Sequence, residues 1–355
     1  MRELRRLFPA LALAAAVAAA ACSDSNGPED VDPEAMDARL DAVVSTFENN
    51  IAFQSMTSLA WVFPSFGATS ALRAALPAAP RPDGWTATTA GRLAQLRLLA
   101  GLRAPTGELA LFPVDVLGKT FVWDVNADAY VVGQDAGAPP SGIRIILYAV
   151  NPVSGMPVEP LQPLGALDLT DESVAAADKL GVELRLGPTV IADYYIQLTV
   201  GTTTAAVDAV GFLRSPDGAS QLNFDLGVSV NAQTQQVSLL FDVTGSEGTS
   251  VHLALVAGDD GGALTFRVSG GGNTIELTLD ANVGGASGTI KFNGVVVATI
   301  TEGNDGTQIT GANGRQLTAE EVNALLAIFE RVGDFLENFV GGILGPGDIV
   351  FGSAY

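Results

Sequence analysis

From Lys119 onward the chain repeats one pattern, in which apolar and polar residues alternate in short runs closed by turns. The runs are KTFVWDV, IRIILYAV, VELRL, TVIADYYIQLTV, AAVDAVGFLRS, SQLNFDLGVSV, QVSLLFDVTG, SVHLALVAG, ALTFRVSG, NTIELTLDAN and GTIKFNGVVVATIT. A period of two places successive side chains on opposite faces of a strand. In ALTFRVSG, Leu264, Phe266 and Val268 take one face, and Thr265, Arg267 and Ser269 the other. In NTIELTLD, Ile275, Leu277 and Leu279 oppose Thr274, Glu276, Thr278 and Asp280. Each strand therefore has one wet face and one dry face. Ser215–Gly218, Gly245–Gly248, Gly258–Gly262, Gly270–Asn273 and Asn293-Gly294 supply the turns. The last is the favoured two-residue hairpin turn. Short turns between regular strands predict antiparallel neighbours over residues 119–310.

A one-sided sheet must cover its dry face, and the sequence offers two helices for that purpose. Asp32, Pro33 and Glu34 open the first, with Met36, Leu40, Val43, Val44, Phe47 and Ile51 at helical spacing. The second begins at Thr318 and Glu321, which stand at capping-box spacing. Its stripe is Val322, Leu325, Leu326, Phe329, Val332, Leu336 and Phe339. The expected fold is mainly β: a curved antiparallel meander sheet or half-barrel of roughly ten to twelve strands. An N-terminal and a C-terminal amphipathic helix pack on its apolar face. A transmembrane barrel also alternates, but it carries aromatic girdles; this chain has three tryptophans and five tyrosines.

The first residues have a different design. Arg2, Arg5 and Arg6 precede an apolar, alanine-rich run from Leu7 to Ala21, interrupted by Pro9. About twenty apolar residues are needed to span a bilayer, and this run is shorter. A basic head, a short apolar core and small residues at its end describe a secretory signal peptide. Ala20, Ala21 and Cys22 follow, and Cys22 is the single cysteine of the chain. This stretch resembles the lipobox of bacterial lipoprotein signals, although Ala19 stands where leucine is preferred. The resemblance covers the first twenty-five residues or so and implies cleavage before Cys22, which becomes the site of lipid attachment. It implies sorting to the outer membrane as well, because Ser23 follows the cysteine. Cleavage at an ordinary A-x-A site, leaving a free thiol, is the alternative. Acyl chains at roughly 0.8 kcal/mol per buried methylene make a persistent anchor. The expected division is 1–21 signal peptide, 22–32 lipidated tether, 33–118 helical and Pro/Gly-rich segment, 119–310 β meander, and 311–355 C-terminal helix and tail.

Removal of residues 1–21 leaves 15 basic against 38 acidic residues, a net charge of −23. Such acidity opposes binding to nucleic acid or, through a basic patch, to anionic lipid. The one basic stretch holds Arg73, Arg81, Arg92, Arg97 and Arg103 against Asp83. It reads either as a membrane-surface contact or as a packed segment whose arginines pair with acids elsewhere.

Few residues suggest chemistry. His252, the only histidine, lies on the strand face opposite Val251, Leu253 and Leu255, without evident partners for a base. Zinc sites built from cysteine and histidine are excluded by count. Gly118-Lys119-Thr120 ends like a phosphate loop, but Pro113 stands at its first glycine position and a strand follows. Asp124, Asn126 and Asp128 open like a calcium loop; Ala129 and Asp135 replace its glycine and its final glutamate. The expectation is no catalytic residue, no metal and no cofactor. The protein is expected to be a non-catalytic outer-membrane lipoprotein that carries or receives an apolar ligand such as lipid. The alternative is an envelope structural or surface-interaction module with a filled core.

Overall fold

The structure is a computed structural model that describes residues 51–62, 111–151, 156–175, 177–231, 233–246, 248–258, 261–282, 285–303, 306–312, 339–340, 342–347 and 349–351. Cys22, the tether, the Met36–Ile51 helix apart from Ile51, the arginines between 73 and 103, and the stripe from Val322 to Leu336 lie outside the described residues.

The fold is mainly β. A helix α1 (Ile51–Val62) precedes fifteen strands: β1 (Lys119–Asp124), β2 (Ala129–Val132), β3 (Gly142–Tyr148), β4 (Pro163–Asp171), β5 (Asp178–Leu186), β6 (Thr189–Val200), β7 (Thr204–Arg214), β8 (Gln221–Asn231), β9 (Gln236–Gly245), β10 (Ser250–Gly258), β11 (Gly261–Gly270), β12 (Asn273–Asn282), β13 (Gly285–Phe292), β14 (Val295–Gly303) and β15 (Gly306–Gly311). Fifteen exceeds the ten to twelve expected, for identifiable reasons. β2 is four residues long, too short to display alternation. β4 begins at Pro163 and contains Gly165, so its pattern merges with the proline-rich stretch before it. β15 is short and bounded by glycines.

The chain divides into two compact units. Among the described residues, the first holds residues 51–62, 111–231 and the helical residues 339–351; the second holds residues 233–312. In the first, the strand order is β2-β1-β3-β4-β5-β6-β7-β8. Consecutive strands from β3 to β8 pair antiparallel. One pair departs from the antiparallel meander: β1 pairs with β3 in parallel, Phe121 opposite Ile145. The β1–β2 hairpin is thus added to the edge as a unit rather than continuing the meander. In the second unit, β9 to β15 pair antiparallel in sequence order.

The turns form where turn chemistry placed them. Asn293 (φ 48°) and Gly294 (φ 81°) both take the left-handed region, as a type I′ turn demands. Gly211 has a different task. It stands opposite Tyr194 on β6 and Phe224 on β8. A Cβ there would lie 2.3 Å from the Tyr194 Cβ and 2.2 Å from the Asp193 carbonyl oxygen. Only glycine lets the two aromatic neighbours close over that position.

Candidate functional site

A one-sided sheet can act through its dry face, as a ligand cup, or through its wet face. In the first unit the dry face runs in register across six strands. Ile145, Leu167, Leu184, Ala192, Leu213 and Leu222 form one rank. Ile143, Leu169, Val182, Tyr194, Gly211 and Phe224 form the next. Ile143, Ile145, Leu167 and Leu169 are fully buried; burying such a side chain stabilises by about 1.5–3 kcal/mol.

Local segments occupy this face. Helix α1 buries Ala52, Phe53, Met56 and Leu59 on one side, while Gln54 on the other is exposed. The buried Ser55 hydroxyl donates to the Tyr148 carbonyl at the end of β3, at 2.8 Å. The helical residues between 339 and 351 come from the other end of the chain. Phe339 meets Phe224 edge-on at 5.2 Å between centroids, and Phe224 meets Tyr194 in the same way at 5.5 Å. The Tyr194 hydroxyl donates to the Ile343 carbonyl at 3.0 Å and lies 3.8 Å from the Met56 sulfur. One side chain thus ties β6 to α1 and to the C-terminal residues. Burial holds its phenol well above the ordinary tyrosine range, so it stays a neutral donor.

The wet face of this unit carries a charged rank: Arg144, Asp168, Glu183 and Asp193 stand opposite one another on β3 to β6. Like charges placed directly opposite repel. Arginines offset most of this. Arg144 grips Asp168 with two hydrogen bonds, of 2.7 and 2.6 Å, the strong bidentate geometry. Arg185 bonds Glu183 along the same strand. Lys179 bridges to Glu172 at 3.1 Å and lies over the Tyr195 ring. Burial, reinforced by Glu183 and Glu172, raises the Asp193 carboxyl above its usual range. Burial and Asp225 raise Asp208 on β7 in the same direction.

In the second unit the wet face is charge-balanced. Asp242, His252, Arg267, Glu276 and Lys291 form one rank across β9 to β13. His252 lies on the polar side, as its strand pattern required, with Nδ1 2.6 Å from an Asp242 carboxylate oxygen. Arg267 and Lys291 both bond Glu276 and hold its carboxyl below its ordinary range. The next rank is all threonine: Thr265, Thr278, Thr289, Thr299 and Thr310 on β11 to β15. The Thr278 and Thr289 hydroxyls bond at 2.9 Å. Val295, Val296, Thr299, Thr301, Thr310 and Gly311 line a shallow open groove of roughly 630 Å³ there.

The weaker sequence motifs resolve into local structure. The Asp124 carboxylate accepts from the Asn126 and Ala127 amides at 2.8 and 3.3 Å and closes the β1–β2 turn, with Asp128 at φ 49°. Among the described residues no group of three or more potential ligands gathers. Gly118 (φ 71°) donates to the Gly142 carbonyl, and Lys119 and Thr120 begin β1. Sequence reasoning missed Tyr194 and the Arg144–Asp168 pair. Both depend on strand register, which alternation alone does not give. No family model, no curated protein and no solved structure matches the chain. Among the described residues, no helix is long and apolar enough to cross a membrane.

Proposed function

We propose that the chain is an outer-membrane lipoprotein, anchored by acyl chains on Cys22, whose folded part is a non-catalytic envelope module with a filled core. In this reading the sheet is a scaffold that presents its polar face to partners, and the terminal helices close its apolar face. The observation that carries it is the Tyr194 cluster. α1 and the C-terminal helical residues lie where an apolar ligand would enter, fixed by the Tyr194–Ile343 hydrogen bond and the Phe224–Phe339 contact. A lipid-facing role for this side is disfavoured for the same reason. The anchor rests on the basic head, the short apolar run and the Ala-Ala-Cys junction of the sequence.

The test has two parts. Cys22→Ser should move the protein out of the membrane fraction and leave the precursor uncleaved by the lipoprotein peptidase. A variant that is still processed and membrane-bound refutes the anchor. Native mass spectrometry of the wild-type protein, extracted from its own membrane, should show covalent acyl chains and no further lipid. A stoichiometric non-covalent lipid would restore the carrier in place of the filled scaffold.

A further inference from the structure

We infer that the polar face of β5 to β8 is a docking surface for an extended, basic segment of a partner protein, with lysine or arginine at alternate positions. The inference rests on the reading of the first sheet as a scaffold that presents this face, and it names what the face takes. Three apolar side chains lie at the centre. Tyr195 on β6 stands opposite Val210 on β7, and Phe212 follows two residues further along β7. All three are half-buried, on the side of the sheet opposite the core. Carboxylates surround them: Asp193 opposite Phe212, Asp225 opposite Val210, and Asp208 two residues before Val210 on the same strand. Asp193 and Asp225 are exposed. An aromatic centre inside a polar, solvated rim is the anatomy of a protein interface.

The charge of the rim names the partner. The cations of this face are engaged elsewhere: Arg144 bonds Asp168, Lys179 bonds Glu172, Arg185 bonds Glu183, and Arg214 bonds Gln221. None is left to pair with Asp193, Asp208 or Asp225, so the rim complements a cationic partner. Spacing decides between one ion and several charges. Asp208 and Asp225 are diagonal neighbours, about 7–8 Å apart. Asp193 lies about 12 Å from Asp225, across two strands and two residues. A single calcium ion needs its oxygens within about 2.6 Å, which these backbone positions do not allow. Alternate side chains of an extended chain recur about every 6.8 Å, close to the Asp208–Asp225 spacing. The chain itself shows how basic side chains settle here. Lys179 lies 4.2 Å from the centre of the Tyr195 ring, and the Arg214 guanidinium 4.6 Å from that of Phe212. A partner's basic side chains extend this pattern, their charged ends on the three carboxylates and their methylene stems on Val210.

The probe is a fluorescein-labelled peptide of nine residues that alternates lysine and serine, titrated against the full-length protein in non-ionic detergent and followed by fluorescence anisotropy. Saturable one-to-one binding is expected, weakening as salt is raised. The double variant Asp193→Asn/Asp225→Asn should bind at least tenfold more weakly. Asp242→Asn/Asp280→Asn, on the other sheet, changes the net charge equally and should alter binding less than twofold. Equal losses in the two doubles overturn the inference, because the peptide then responds to net charge alone; so does no loss in the first. Displacement of the peptide by spermine at equal concentration of charge assigns the face to small polycations, and displacement by a neutral glucan hexasaccharide assigns it to sugars; either overturns the protein partner. The unsubstituted protein gives a second readout that no folding defect can obscure. Carbodiimide coupling of the bound peptide should place its lysines on Asp193, Asp208 or Asp225, and adducts scattered over other acids overturn the inference. Cys22→Ser and the search for bound lipid bear on the anchor and the core, so failure there and failure here are read separately.

Discussion

Removing one oxygen tests how the first unit is closed. In Tyr194→Phe the ring stays, and with it the edge-on contact to Phe224. Only the hydrogen bond from the Tyr194 hydroxyl to the Ile343 carbonyl goes, together with the approach to the Met56 sulfur. A buried hydrogen bond contributes about 0.5–1.5 kcal/mol net, and leaving a buried partner unsatisfied costs about 1–3 kcal/mol. Ile343 lies within a helical stretch, so its carbonyl has a second lone pair for the helix; the expected loss is therefore about 1 kcal/mol. For a unit of this size that shifts the melting temperature by about 2–4 °C. Phe339→Ala, at a fully buried position on the same cluster, should cost far more, about 3–5 kcal/mol, through lost transfer energy and the cavity left behind. Tyr195→Phe is the control: its side chain points to the wet face beneath Lys179, and the change should stay within about 0.5 kcal/mol. Urea denaturation followed by intrinsic fluorescence measures all three. If Phe339→Ala is as mild as Tyr195→Phe, the C-terminal residues do not seal the sheet and the filled-core argument fails. If Tyr194→Phe alone is neutral, the hydroxyl is dispensable while the packing argument stands.

Chelation should leave the melting temperature unchanged, because the Asp124 carboxylate is engaged by the Asn126 and Ala127 amides; a clear drop in calorimetry would make Asp124, Asn126 and Asp128 ligands. Asp193 and Asp208 have folded-state pKa values above the usual range, so the folded state binds more protons than the unfolded one between the usual value and the raised one. Their contribution thus destabilises at neutral pH and is relieved as pH falls through that window; Asp193→Asn and Asp208→Asn should raise the urea midpoint at neutral pH and flatten its rise on acidification. Glu276, held low by Lys291 and Arg267, has the opposite sign: Glu276→Gln should lower the midpoint at neutral pH and make little difference once the carboxyl is protonated.

Where the sequence was legible, one local signal decided the outcome. Alternation in ALTFRVSG and NTIELTLD placed Phe266, Val268, Ile275, Leu277 and Leu279, all buried in β11 and β12, whereas Leu264, on the same face near the strand's start, is only half-buried. Asn293-Gly294 fixed a turn type. Other features depend on partners far along the chain. Helix α1 is only twelve residues long and mixes Gln54, Ser55, Thr57 and Ser58 among its apolar residues, so its buried side is a short signal that the sequence alone does not set apart. The parallel β1–β3 pair exists because a whole hairpin docks on the edge; no residue in β1 announces the direction of its neighbour. The Arg144–Asp168 bond joins residues 24 apart. It requires a register that a slip of one residue would destroy by turning Asp168 to the dry side.

That sensitivity to register bears on edge-to-edge association as well. Long antiparallel strands with regular alternation are templates for edge-to-edge association. In the first unit the inner strands β6 and β7 run to 12 and 11 residues, whereas the end strand β2 has four; β15, an end strand of the second unit, has six. Short edges offer few unpaired backbone groups. The wet faces oppose association differently in the two units. In the second, Asp242, Arg267, Glu276 and Lys291 alternate in sign, and a slip of two residues, which keeps the faces, would part Glu276 from Arg267 and Lys291. In the first, the acidic excess of Asp193, Asp208 and Asp225 repels a second copy of the same face. The burial and like-charge repulsion that raise Asp193 therefore cost the isolated fold some stability, while the acidic excess works against self-association through that face.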